Sequence, residues 1–241
     1  MTTRVMRPRE WSRPTSPVRR EVLSARVDGP TNAPPVLFVP GYGHGAWAFA
    51  EHWLEHTAGR GFPAYALSLR GYGGSASSSP ARLADYVHDV TQVAAGLPKQ
   101  AVLVGHGAGA LVAAQELARY PARAGVLISP IFGRHLRRRP LFSGELPPDV
   151  AKGYLARLDK VPFGARWQLL RRQEPETPVG DPPVLVVGSP DDRMVNDKAL
   201  EAVARRYSGA PLLFPGMGHD LMLDARWQEP IDAILDWLQK V

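Results

Sequence analysis

Seven short apolar runs recur along the chain: Glu21–Asp28, Pro35–Val39, Ala64–Leu67, Ala101–Val104, Ala124–Ser129, Pro183–Gly188 and Pro211–Phe214. Between them, near 46–60, 82–96, 108–119, 196–208 and 227–240, apolar residues fall at helical spacing, as in Leu111, Ala114, Leu117 and Ala118. A chain that alternates this way buries its strands in a mostly parallel sheet with helices on both faces, an α/β architecture. Only a Gly-Pro-rich turn separates the first two runs, so the sheet is expected to open with them as an antiparallel pair. Residues 1–20 combine prolines and arginines without periodicity and read as an irregular arm before a single domain over 21–241.

One segment breaks the cadence. Residues 131–181 are rich in Arg and Pro, hold short helical pieces, and far exceed the usual strand–helix connection of about 2–6 residues. In open α/β sheets the ligand crevice lies beyond the C-terminal ends of the strands, so an insertion there is expected to form a lid. Leu141, Phe142, Tyr154, Leu158, Phe163 and Trp167 are its candidates for lining a pocket, against the plainer alternative that they pack the lid on itself.

The chemistry-bearing stretch is Val102-Leu103-Val104-Gly105-His106-Gly107-Ala108-Gly109, an apolar strand that turns through alternating glycines into a helix. This is the context of a G-x-S-x-G nucleophile elbow, in which the central residue sits at positive φ in a tight turn. Glycine adopts that backbone at no steric cost because it has no Cβ, so Gly107 keeps the turn and deletes the hydroxyl. The same residues satisfy a dinucleotide-binding pattern, Gly105-x-Gly107-x-x-Ala110. That reading needs an acidic residue at the end of the next strand, where this chain has Leu127-Ile128-Ser129-Pro130, and it is set aside.

Three further segments complete a family pattern: Pro40-Gly41-Tyr42-Gly43-His44-Gly45-Ala46-Trp47, Leu67-Ser68-Leu69-Arg70-Gly71-Tyr72-Gly73-Gly74-Ser75 and Phe214-Pro215-Gly216-Met217-Gly218-His219-Asp220. In order and spacing the chain resembles the α/β-hydrolases over everything except the arm, with the lid the least matched part. The resemblance implies the α/β-hydrolase fold, His219 as general base, and oxyanion donors in the backbone N–H groups of Tyr42 and Ala108. In Val187-Gly188-Ser189-Pro190-Asp191-Asp192-Arg193-Met194-Val195 it places the acid at Asp192, counted back from Met194-Val195; counted forward from the strand, Asp191 stays open. The plainer role for either aspartate is to cap the helix starting near Asn196, which suits Asp191 better. His44, Phe142 and Trp167 are the candidate substrate contacts, although His44 also suits a loop-bracing role. His106 and Arg70 are expected to be structural.

With Gly107 at the elbow, an acyl-enzyme through serine is unavailable. A His219–Asp192 pair beside an oxyanion hole can still move a proton next to a carbonyl, worth about 10²–10⁴-fold from the base. The leading expectation is therefore a non-hydrolytic enzyme of epimerase, isomerase or lyase type, acting on a carbonyl-containing small molecule or peptide. Among departures of that kind the chain resembles the atypical hydrolase-fold peptide epimerase of bottromycin biosynthesis. Two other readings stand beside it: an ester, thioester or amide hydrolase silenced by a Ser-to-Gly change, and a non-catalytic relic that binds a small molecule.

Composition bounds the rest. Absence of cysteine excludes disulfides and thiolate chemistry. Net charge is +6, but the arginines gather in the first 20 residues and over 134–172, including Arg134, Arg137, Arg138 and Arg139, with no nucleic-acid-binding motif. They read as solvated surface. No apolar run approaches the roughly 20 residues of a membrane span, and no apolar stretch follows the N-terminal arginines, so a cytoplasmic protein is expected. No cofactor and no metal are expected, since no His-x₃-His pair accompanies His219 and Asp220.

Overall fold

A computed structural model describes residues 15–77, 81–133, 140–161 and 174–241. Seven strands form one sheet: β1 (Val22–Ala25), β2 (Val36–Val39), β3 (Ala64–Leu67), β4 (Val102–His106), β5 (Ala124–Ile128), β6 (Val184–Gly188) and β7 (Leu212–Leu213). Each lies within or beside one of the seven apolar runs. The order across the sheet is β1-β3-β2-β4-β5-β6-β7, and all pairings are parallel except β1 with β3.

The opening pair differs from the expectation. β1 is antiparallel, but its partner is β3, with Val22 opposite Leu67 and Ala25 opposite Ala64, while β2 sits between β3 and β4. Burial explains the choice. All four residues of β2 are buried, which suits a strand with neighbours on both sides, whereas β1 is only partly covered and belongs at an edge. The loop 26–35 carries the chain past the slot that β3 later fills.

Described helices are α1 (Trp47–Ala50), α2 (Trp53–Gly59), α3 (Leu83–Ala95), α4 (Ala108–Leu117), α5 (Pro148–Ala156), α6 (Asp197–Arg206) and α7 (Gln228–Leu238). Side chains alternate across the strands and split the core in two. Val36, Phe38, Val102, Val104 and Val126 face Phe49 and Trp53 of α1–α2 and Ile231 and Ile234 of α7. Leu37, Val39, Leu103 and Leu127 face Tyr86 and Val90 of α3, Val112 of α4 and Leu200 of α6.

Helix α4 is pressed against the sheet through glycine. A Cβ at Gly105 would stand 2.6 Å from Ala110 Cα, and one at Gly109 would fall on the carbonyl oxygens of Val39 and Pro40. The segment between β5 and β6 contributes α5, which starts with Pro148 in its first turn. No helix among the described residues is long and apolar enough to cross a membrane.

Candidate active site

Five candidate residues stand on loops that leave the C-terminal ends of parallel strands: Tyr42 and His44 after β2, Gly107 after β4, Asp192 after β6 and His219 after β7. Such loops converge on one edge of the sheet, where these folds bind ligands.

Gly107 is the N-cap of α4 at φ +54°, ψ −119°. Its N–H donates to Ile128 O at 2.9 Å and its carbonyl accepts from Ile131 N at 3.0 Å, so the turn is locked to the neighbouring strand. A Cβ built on Gly107 would point at His219, 3.2 Å from Nε2, with Gly41 Cα at 3.9 Å on another side. The imidazole therefore faces the spot where a serine side chain would begin.

His219 is buried, and its Nδ1 lies 2.7 Å from Asp192 Oδ2. The other oxygen of Asp192 accepts from Met194 N at 2.6 Å and Val195 N at 3.1 Å, which fixes the carboxylate from behind. Burial works to raise the Asp192 pKa, but the hydrogen bond and charge of His219 and the two amides outweigh it, and the net shift is downward. Burial likewise opposes protonation of His219, yet the hydrogen bond and charge of Asp192, with Asp220 adding, hold its pKa above the ordinary histidine value. Asp191 points elsewhere: its Oδ2 accepts from Gly216 N at 2.6 Å. The helix cap that was the plainer role for an aspartate belongs to Asn196, whose side chain accepts from Ala199 N.

Among the described residues, neither the Tyr42 nor the Ala108 amide has a hydrogen-bond partner. Ala108 opens a ten-residue helix whose first turn carries no acidic side chain, so its positive end is uncompensated. The Tyr42 ring stacks on Tyr72, centroids 6.0 Å apart, and leans on Tyr86 at 5.2 Å.

His44, expected to touch substrate, is instead buried with Nε2 spent on Asp220 Oδ2 at 2.9 Å. Bracing of the loop is the role its geometry fits. Phe142 packs on Tyr154 of α5, centroids 5.9 Å apart, and is partly buried against the core, the plainer of its two expected placements. Trp167, Phe163, Arg134, Arg137, Arg138 and Arg139 lie outside the described residues. Arg70 is structural, as expected: buried, it grips Asp89 through Nε at 2.8 Å and Nη2 at 2.6 Å. Ser75 is likewise engaged, donating to Ser68 O and accepting from Glu21 N. Ser129 sits at φ +43°, buried, with no partner for its hydroxyl among the described residues.

Sequence reasoning gave Asp220 no role beyond a family match. The fold brings it together with His44 and His106, all three buried, with donor atoms within 4.8 Å of one another. These are metal-ligand types, but their hydrogen bonds run elsewhere: His44 Nε2 is bonded to Asp220 Oδ2, and His106 Nε2 donates to the His219 carbonyl while standing 3.3 Å from Oδ1, which has no hydrogen-bond partner among the described residues. Asp220 is fully buried and held well below the usual carboxylate range, at about 2, because its imidazole neighbours outweigh the cost of burial. Burial pushes His106 down to about 3, so it stays neutral behind the elbow. The segment between β5 and β6 is tied to the same loops. Leu141 O accepts from Asp220 N at 3.0 Å, and Asp159 joins Gly43 O through its amide and Gly73 N through its carboxylate.

Known proteins bear on this geometry in two ways. The sequence pattern of the alpha/beta hydrolase family matches residues 36–236. Among solved structures, the monoacylglycerol lipase of Paleococcus ferrophilus superposes with a TM-score of 0.70 at 18% identity, covering 92% of this chain and 98% of its own. A thermophilic esterase from Thermogutta terrifontis, solved with malate bound, gives 0.71 at 19%, covering 92% and 94%. The esterase EaEST from Exiguobacterium antarcticum gives 0.71 at 15%, covering 92% and 96%. No curated protein matches the chain. These identities speak to the fold, while the family match spans most of the sequence and includes the elbow, the Asp192 loop and His219. The chain belongs to the alpha/beta hydrolase family.

Proposed function

We propose that the protein is an enzyme in which His219 acts on the substrate itself, as the base and then the acid of a proton transfer next to a carbonyl group. The reading rests on one observation above all: His219 Nε2 faces the vacant Cβ position of Gly107 at 3.2 Å while Asp192 holds Nδ1 at 2.7 Å. In a serine hydrolase that nitrogen is occupied by the nucleophile's proton. Here it is left to meet a substrate atom.

The chemistry balances without a cofactor. Nε2 takes the proton from the carbon beside the carbonyl, and the C–H electron pair moves onto the carbonyl oxygen as an enolate. The Tyr42 and Ala108 amides donate to that oxygen, which is where charge develops. The imidazolium, stabilised by Asp192, then returns a proton to the same carbon for racemisation or epimerisation, or to a leaving group for a lyase. Substrates of this class are carbonyl-containing small molecules or peptides.

Similarity to proteins named as esterases and a lipase favours a second reading. Room left by the missing hydroxymethyl would take a water that His219 activates directly for ester hydrolysis. Incubation in D₂O with a set of peptides, thioesters and aryl ketones separates the two. Proton transfer predicts a mass gain of about one per exchanged site, with the substrate otherwise intact and the gain lost in His219→Gln. Hydrolysis predicts acid and alcohol products with no label on carbon.

A further inference from the structure

We infer that Asp220 is a positioning residue: buried between His44 and His106, its carboxylate ties the oxyanion loop to the His219 loop and lays a second negative charge beside the imidazole. The inference deepens the site assigned above and rests on that assignment.

Four segments meet on this one residue. His44 Nε2, from the loop that carries the Tyr42 amide, lies 2.9 Å from Oδ2. His106 Nε2, from the last residue of β4, is 3.3 Å from Oδ1 and 3.2 Å from the carbonyl of His219. Through its backbone N–H, Asp220 also holds Leu141 O at 3.0 Å, where the chain comes over the site from β5. All of this is out of solvent, with Asp220 and His106 at 0% exposure and His44 at 4%. An ionised carboxylate in such a place is expensive unless its lone pairs are met. His44 meets Oδ2, whereas Oδ1 has no hydrogen-bond partner among the described residues, so losing the His44 bond leaves the charge without a side-chain donor.

The consequence for the site is geometric first. Tyr42 is two residues from His44, which Asp220 Oδ2 holds, and Gly107 directly follows His106, which donates to the His219 carbonyl beside Asp220, so the two contacts together fix the distance between the oxyanion donors and the base. Misplacement of such groups by about 1 Å can cost on the order of 10²-fold in rate. It is electrostatic second. The titratable groups that face His219 among the described residues are Asp192 from the loop after β6, Asp220 beside it and His106 from β4, with His44 on the far side of Asp220. His106 is neutral, so Asp192 and Asp220 supply the charge that favours the protonated ring.

The test is Asp220→Asn in protein labelled with ¹⁵N at the histidine rings, with the His219 signals assigned by their loss in His219→Gln. The expected result is that His219 titrates at lower pH than in the parent. A merely structural aspartate would lower the melting temperature and leave that titration in place, which would overturn the inference. In the Gly107→Ser background, Asp220→Asn is expected to lower kcat by roughly 10–100-fold with KM little changed. His44→Gln, which keeps an N–H for Asp220, should retain turnover that His44→Ala loses. Equal turnover in the two His44 variants overturns the tie between the loops, and this pair decides the matter if Asp220→Asn does not fold. If the Gly107→Ser background itself is silent, the functional reading fails while the His219 titration still decides the role of Asp220.

Discussion

His219 Nε2 lies 3.2 Å from the point where a Cβ on Gly107 would stand, and Asp192 holds the opposite ring nitrogen at 2.7 Å. An imidazole held by a carboxylate thus faces an elbow that has no side chain. The elbow backbone has kept the left-handed turn at φ +54°, so the vacancy is one side chain deep.

The two neighbouring aspartates divide cleanly. Asp192→Asn removes the charge that favours the protonated imidazole, so His219 should titrate at lower pH. In a Gly107→Ser background turnover should fall by about 10³–10⁴-fold, the scale seen when a triad acid loses its charge. Asp191→Asn touches only the Gly216 amide and should keep turnover within about threefold, as expected for an exposed polar contact. Steady-state kinetics of the two variants side by side check this.

The adjacency of these residues shows what a sequence can and cannot disclose. Strand runs such as Val36–Val39 and Ala101–Val104 were legible because four apolar residues between turn signals leave no other economical burial. That β1 lies beside β3 was not, because pairing depends on which strand has an open edge in three dimensions. Likewise Asp191 and Asp192 are chemically identical in sequence, and only the turn geometry after β6 aims one at a histidine 27 residues on. Asp220 was hidden for a similar reason: its neighbours His44, on a loop, and His106, at the end of β4, lie 176 and 114 residues away along the chain.

Packing behind the elbow predicts unequal costs for adding one methyl group. Gly109→Ala would drive Cβ into the backbone carbonyls of Val39 and Pro40, which cannot move aside without disrupting β2, and should cost about 3 kcal/mol. Gly107→Ala meets only the edge of His219, and its cost is the positive-φ strain of about 1–2 kcal/mol. Urea denaturation midpoints of the two variants measure the difference.

Glu116 of α4 predicts a pH-dependent stability. Its carboxyl is buried and pushed up to about 8, because burial outweighs the hydrogen bond from Thr91 and the charge of Arg119. The acid is thus protonated in the folded protein and ionised in the unfolded chain between about pH 4.5 and 8. Unfolding releases a proton across that window, so Glu116 favours folding fully only below it and progressively less as pH rises. Glu116→Gln imitates the neutral acid. It should leave the melting temperature nearly unchanged at pH 4.5 and raise it by several degrees at pH 8, a gain on the order of a few kcal/mol. Thermal melts of both proteins at the two pH values check the sign.

The central claim is that the site lacks a nucleophile and nothing else. The most direct measurement is p-nitrophenyl acetate turnover by the parent protein, Gly107→Ser and Gly107→Ser with His219→Gln, each confirmed folded by its melting curve. The account predicts that the serine variant exceeds the parent by about 10³-fold or more, and that the double variant falls back to the parent level. A folded Gly107→Ser protein no faster than the parent would contradict it.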